Sequence, residues 1–581
     1  MMRMLTGITA FRRTILTACA LILSAGFAFA GPQKISNDIQ PTTASGSVDV
    51  IVQFNQVPTA AYHQKVLSRG GTIKRQYEQF KGAAYTMPAS AVADLAADPD
   101  VVYISPDRPL QGAGSTATLD YHTGTVNAPA AWAKGLTGSG IGVAVIDSGV
   151  AQNLDLNFLN LVYSQDFTGS FLGSASDQYG HGTHVSGIIA GNGIQSTGLL
   201  ASYTFKGIAY NANLINLRVL NEDGVGTDSE VIAALDEAIS LRSRYNIRVI
   251  NLSLGRPVWE SYKQDPLCQA VEQAWKAGIV VVVAAGNYGR DNNAGTEGYG
   301  TITAPGNDPY VITVGAMNTK GTLARTDDIP ASYSSKGPSL FDQVIKPDLV
   351  APGNRIISLY SAGQTLSQDY PGNEVSTSLY QTISLGLPSS SYFFLSGTSM
   401  AAPMVSGAAA LMLQQDSNLT PDQVKARLML TAFKGLVQSS TATDSTTGIT
   451  YSEQADIFTV GAGYLDIQAA LANTALAPAT VGSAMSPTAE VESGSIVMVE
   501  NGSSVLGGNT VTWGSSVMWG SSVMWGSSVN GDSVLWGSNS LAGESVLWGS
   551  SVVSADNVLW GSSVLWGTSI DIPDFTIFGD N

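Results

Sequence analysis

The sequence predicts an α/β protein built on a parallel sheet, with a small α+β unit before it and a β-rich or solenoid-like repeat tail after it. Three observations carry this reading. Between residues 118 and 474, apolar runs of strand length alternate with helical stretches, the pattern of βαβ units. Residues 47–112 hold short apolar strands separated by short helices. From residue 513 a Trp-containing unit of about six residues recurs, with Gly in each unit, a period suited to a stacked β-solenoid.

Composition sets the limits. At 581 residues the chain exceeds one ordinary domain. Hydrophobic residues make up 44%, enough for a large core, and charged residues only 13%. The net charge of −17 excludes nucleic acid as an expected partner, because phosphate binding needs clustered Lys and Arg. An acidic surface suits the solubility of an exported protein.

Taken in order, residues 1–30 read as an export signal. Arg3, Arg12 and Arg13 form a basic start, Thr14 to Phe27 an apolar stretch, and Ala28-Phe29-Ala30 a small-residue cleavage site. The apolar stretch is too short for a membrane anchor. Cys19 falls inside the signal, so Cys268 is left alone, and its helical surroundings predict a buried thiol. Residues 31–46 are a polar leader. In 47–112, strands are expected at Val48–Phe54, Ala84–Met87 and Val101–Ile104. Helices are expected at Thr59–Arg69 and Ser90–Ala97, with Ser90 as N-cap. An exposed joint follows at Gly112–Ser115.

In 118–474, strands are expected at Gly142–Ile146, Leu214–Val219 and Arg248–Leu252, and helices from His181 and over Ser229–Ser240. Gly278 to Gly286 reads as a buried parallel strand. Thr420-Pro421-Asp422-Gln423 opens a late helix with a capping box and Pro at its first position. Residues 475–512 read as a linker, 513–570 as repeats and 571–581 as a tail. Tryptophans recur at Trp513, Trp519, Trp525, Trp536, Trp548, Trp560 and Trp566. Three roles stay open for the repeats: a stalk or cell-surface attachment module, a self-associating or carbohydrate-binding patch, or a segment that is disordered or removed.

Cleaving an amide needs a nucleophile, a base, a group orienting the base, and donors for the oxyanion. Asp147 ends the apolar strand Val143–Ile146, where parallel sheets gather functional groups; by itself it reads as a turn residue. His181 opens a small-residue helix between two glycines, and His184 lies one turn on. The His-x-x-His spacing raises a metal site, but no matching Cys, His or Glu cluster follows. Ser399 stands at a helix N-terminus after Ser396-Gly397-Thr398, where the helix dipole favours developing negative charge. Ser396 and Thr398 are rivals, and a simple cap is the plain alternative. Pro403 is expected within the first turn. Asn287 ends the strand Val281–Ala285 on a side-chain amide.

Together the segments Val145-Ile146-Asp147-Ser148-Gly149, Gly180 to Gly187, Ala284-Ala285-Gly286-Asn287 and Ser396 to Pro403 resemble the subtilisin family of serine proteases, in sequence and in order. The resemblance covers about residues 118–474. It implies a three-layer subtilisin-like domain with Asp147 as orienting acid, His181 as general base and then acid, Ser399 as nucleophile and Asn287 as oxyanion donor. It implies polypeptide substrates bound along Gly224-Val225-Gly226, with Ser253-Leu254-Gly255 and Ala284-Ala285-Gly286 lining the primary pocket. The 47–112 unit resembles the inhibitory propeptide of such proteases, cut near residues 110–117. No cofactor is required for this chemistry. Structural calcium stays open with no ligands assigned.

Departures touch substrate preference. Arg256 stands where many relatives have a second glycine, and Thr303 falls near the pocket floor. Residues 361–394 form an insertion expected to overhang the cleft. Two other classes compete: a non-catalytic surface protein on the same scaffold, and a lipase-like hydrolase. The latter places Asp and His after its Ser and needs Gly-x-Ser-x-Gly, which Gly397 to Ala401 lacks.

Overall fold

The computed structural model describes residues 34–36, 39, 46–107, 109–110, 122–156, 160–170, 173–292, 295–384, 386–492, 495–500, 503–504 and 579–580. The export signal, most of the leader, the joint at Gly112–Ser115, the repeats and most of the tail lie outside these residues.

Six strands lie side by side in the order Leu161–Asp166, Asn213–Arg218, Gly142–Asp147, Ile247–Leu252, Val280–Ala284 and Ile312–Asn318. Leu349–Pro352 and Ile329–Pro330 both pair with the last, completing an eight-stranded sheet. Every pairing is parallel except that of Ile329–Pro330. The central strands are almost wholly Val, Ile, Leu and Ala, because helices cover both faces and leave no polar side. Helix Thr398–Gln415 packs on helix His181–Ala190, and helix Asp228–Tyr245 on helix Pro266–Lys276, each pair against the sheet. The expected strands and helices are present with shifts of a residue or a few at their ends. Cys268 is buried on helix Pro266–Lys276. Thr420 and Gln423 form the expected capping box.

Residues 47–107 form a separate four-stranded antiparallel sheet with its own apolar core. Strand Thr72–Gln76 was not anticipated: it alternates polar side chains on an edge and contains no apolar run. Ser90 does not cap a helix. It sits inside a short 3-10 turn, and the α-helix begins only at Val92, without a side-chain cap. This unit rests on helix Asp228–Tyr245. The Tyr77 hydroxyl donates to the Ser229 carbonyl at 3.2 Å, and the Glu78 and Gln79 N–H groups donate to the Asp236 carboxylate at 2.8 and 2.6 Å.

The segment read as a linker is partly structured. Thr488–Glu492 and Ser495–Glu500 pair as a hairpin, and the Ile345 N–H donates to the Pro487 carbonyl at 2.8 Å. Residues 361–394 hold a short helix, Thr365–Asp369, the strand Glu374–Ser376 and nearly all of the strand Pro388–Leu395, which lies between Glu374–Ser376 and Ile356–Leu359 and pairs with both. The helix packs behind the His181 turn, where the Leu366 N–H donates to the Tyr179 carbonyl at 3.0 Å. The insertion therefore braces the cleft wall instead of simply overhanging it. Among the described residues no helix is long and apolar enough to cross a membrane.

Candidate active site

Asp147 is the last residue of its strand and is completely buried. Its Oδ1 accepts hydrogen bonds from the Ser148 N–H at 2.7 Å and from His181 Nδ1 at 2.8 Å. Because a carboxylate oxygen can only accept, Nδ1 carries the proton and Nε2 of the neutral ring is the free acceptor. Nε2 has no hydrogen-bond partner.

Two features bring His181 to Asp147. A Cβ on Gly182 would lie 2.3 Å from the Gly149 carbonyl oxygen, so only glycine lets the helix touch the strand end. The turn before the helix is tied by Asp177. Its Oδ1 accepts from the Gly180 N–H at 2.8 Å and its Oδ2 from the Thr183 N–H at 2.8 Å. Asp177 was missed in the sequence, where a carboxylate four residues before a histidine looks like ordinary turn chemistry. Burial alone would lower the His181 pKa, but the Asp147 charge and hydrogen bond outweigh it and leave it raised.

His184 is buried, and its Nε2 donates to the carbonyls of Ile356 at 3.2 Å and Phe393 at 3.1 Å. Burial pushes its pKa down to about 3, so it is a neutral packing residue. Among the described residues no group of three or more His, Cys, Asp or Glu could hold a metal ion.

Ser399 is the second residue of helix Thr398–Gln415, so its N–H has no acceptor within the helix. Pro403 is the sixth residue of that helix, beyond the first turn, contrary to expectation. It cannot donate to the Ser399 carbonyl, four residues back. The Ser253 hydroxyl donates to that carbonyl instead, at 2.8 Å, and the Ser399 hydroxyl donates to the Ser253 carbonyl at 3.1 Å. The Ser399 hydroxyl is thus parked on a backbone carbonyl and makes no hydrogen bond to His181. Its rivals are occupied elsewhere: Ser396 Oγ accepts from the Arg355 N–H at 2.9 Å, and Thr398 Oγ1 lies 3.1 Å from both Asn287 Oδ1 and the Gly286 N–H. The Thr398 N–H donates to Asn287 Oδ1 at 2.9 Å, which turns the Asn287 NH2 group away from Thr398.

The edge segment is a short strand. Gly226–Thr227 pairs antiparallel with Pro109–Leu110, Leu110 opposite Gly226. A Cβ on Gly224 would lie 2.5 Å from the Tyr179 ring, and the Val225 N–H is tied to Asn221 Oδ1 at 3.0 Å. Leu254, Ala284 and Ala285 are buried, and both backbone groups of Ala285 are taken, by Val314 and Thr303. Thr303 packs between Gly255 and Gly286: a Cβ on either glycine would lie 2.5 or 2.6 Å from its side chain. Arg256, in contrast, does not face the cleft. It is buried between Asp228 and Asp265, at 2.9 and 2.8 Å, acids that begin or cap two helices. Arg256→Met should remove the buried positive charge that Asp228 and Asp265 share and cost about 3–5 kcal/mol, read as a lower urea midpoint.

The Subtilase family model matches residues 138–463. The chain is 39% identical over 307 residues to serine protease AprX of Bacillus subtilis, a match covering 50% of this chain but only 61% of AprX. It is 34% identical over 387 residues to subtilisin E of the same species, covering 66% of this chain and 84% of subtilisin E. Among solved structures, fervidolysin from Fervidobacterium pennivorans shares the fold, with a TM-score of 0.55 at 20% identity over 76% of this chain and 62% of fervidolysin. With a family match across the whole sheet and the buried Asp147–His181 pair inside it, the chain belongs to the subtilase family of serine peptidases.

Proposed function

We propose that the chain is a secreted serine endopeptidase, made as a zymogen, that hydrolyses polypeptides through an acyl-enzyme. The observation that carries this reading is the buried Asp147–His181 pair with its Nε2 free, beside a helix that begins at Thr398-Ser399. Ser399 Oγ attacks the scissile carbonyl while its proton passes to His181 Nε2. The oxyanion takes hydrogen bonds from the Ser399 N–H and the Asn287 NH2. His181 then protonates the leaving amine, and the C–N bond breaks. Water, deprotonated by His181, cleaves the resulting ester and restores Ser399. Asp147 keeps Nδ1 protonated and stabilises the imidazolium.

The substrate chain binds by strand addition along Gly224–Gly226, with backbone pairing for affinity and side-chain pockets for selectivity. The pairing of Leu110 with Gly226 supports this, because it is the same mode used by a segment of the chain itself. It also supports the zymogen reading. Asp107 accepts from the Ser229 N–H at 2.5 Å and from the Ser229 hydroxyl, holding residues 109–110 extended along the edge. Residues 47–112 act as the intramolecular inhibitor until cleavage near 110–117. The Trp repeats add no catalytic group, and we assign them to attachment instead of chemistry.

Casein hydrolysis by processed wild-type protein, absent in Ser399→Ala, is the deciding assay; no Ser399-dependent cleavage would favour the non-catalytic scaffold. Ser399→Ala should also accumulate uncut precursor in a protease-free host. Asn287→Ala should lower kcat by about 10²–10³, the size typical of one oxyanion donor. The base must be neutral, so kcat/KM should fall on the acid side with a single-proton limb. Since the His181 pKa is raised, that limb should lie above the ordinary value of 6.5. Asp147→Asn should move it to lower pH and reduce kcat by about 10⁴.

A further inference from the structure

Two residues from beyond the repeats lie in a pocket of the peptidase domain. Asp580 is completely buried. Its carboxylate accepts from Arg290, from the Ser332 N–H at 2.7 Å and from the Ser332 hydroxyl at 2.8 Å. Its backbone N–H donates to Asn354 Oδ1 at 2.9 Å, and its carbonyl accepts from Asn354 Nδ2 at 3.0 Å. One side-chain amide thus takes the place of a neighbouring strand. The Gly579 carbonyl accepts from the Ser445 N–H at 3.2 Å.

The pocket is selective on two counts. A Cβ on Gly579 would lie 1.9 Å from Asn354 Oδ1 and 2.6 Å from Ser396 Oγ, so only glycine fits. Arg290 is itself buried, with Asp444 at 3.3 Å and the rings of Tyr333 and Tyr451 at 5.7 and 5.6 Å. The buried guanidinium has Asp444 beside one nitrogen and takes the Asp580 carboxylate on the other, and buried charge is stabilised by such partners. The lining also belongs to the loops of the candidate active site. Arg290 follows Asn287 by three residues, and the Gly353 carbonyl, next to Asn354, accepts from the Gly397 N–H at 2.8 Å.

We propose that this pocket is a binding site for a Gly-Asp segment of an acidic peptide, and that its occupant is the chain's own Gly579–Asp580. Both the hairpin, whose Ala489 N–H donates to the Gln343 carbonyl at 2.8 Å, and Gly579–Asp580 rest on the peptidase domain. The site is independent of the peptidase reading and can be tested in a protein unable to cut itself.

The test is hydrogen exchange on the full chain carrying Ser399→Ala. Adding Asp580→Ala should speed exchange of the Ser332 amide by about tenfold or more, because its acceptor is gone. Gly579→Ala should do the same by excluding the segment. A synthetic Ile-Phe-Gly-Asp-Asn peptide should restore protection to the Asp580→Ala protein, and Ile-Phe-Ala-Asp-Asn should not. Should Asp580→Ala fail to fold, Asp580→Asn provides the same comparison with the shape retained. Unchanged Ser332 protection in the variants would overturn the proposal. Protection that vanishes on dilution would assign the occupant to a second copy and overturn the assignment to the chain's own Gly579–Asp580.

Discussion

The site depends on the buried helix Thr398–Gln415, and that helix starts well only because Ser253 repairs the gap left by Pro403. A proline in the second turn removes one intrahelical hydrogen bond, and an unpaired carbonyl in a dry core is costly. The Ser253 hydroxyl fills that vacancy from the end of a neighbouring strand. The same contact fixes the height of Ser399 relative to the sheet. Ser253 is in turn held by Asn251 Nδ2 at 2.9 Å, whose Oδ1 accepts from the Ser406 hydroxyl at 2.8 Å, one helical turn beyond the proline. Strand and helix are locked at two points, and the first of them is the Ser399 carbonyl itself.

Close approach does the rest. The helix that carries His181 meets the Asp147 strand through Gly182 and Gly149, and Asp177 ties the intervening turn by accepting several donors. A carboxylate can satisfy several orphan N–H groups at a helix start while complementing its dipole. Arg256 applies the same chemistry to two other helices, linking Asp228 and Asp265 at their starts. Asp177 and Arg256 thus use buried charge as a tie between elements.

One mode of recognition recurs. Leu110 pairs with the Gly226 edge, and Asp580 pairs its backbone with the Asn354 amide. Both are extended segments of the chain taken up by the peptidase domain, each with an acid beside it as anchor: Asp107 on Ser229, and Asp580 on Arg290 and Ser332. Backbone pairing supplies affinity in each case, and the acid supplies register.

The sequence by itself determined the sheet and marked four candidate residues along it. Val143–Ile146 and Val280–Ala284 read as buried strands, being apolar, β-branched and short, and the candidate groups Asp147 and Asn287 follow them closely in the chain. Glycine-rich punctuation marked the starts of the His181 and Ser399 helices for the same local reason. What the tertiary structure decided were contacts between residues far apart in sequence. Arg256, read as a pocket residue, turned away because two helix-starting acids converge on it. Pro403 was misplaced because its missing bond is supplied by Ser253, about 150 residues away. Thr72–Gln76 became a strand only by joining an existing edge, and Asp580 gained a role only through Arg290, Ser332 and Asn354. Periodicity and propensity are properties of neighbours along the chain, whereas a hydrogen bond between distant segments exists only once folding has brought them together.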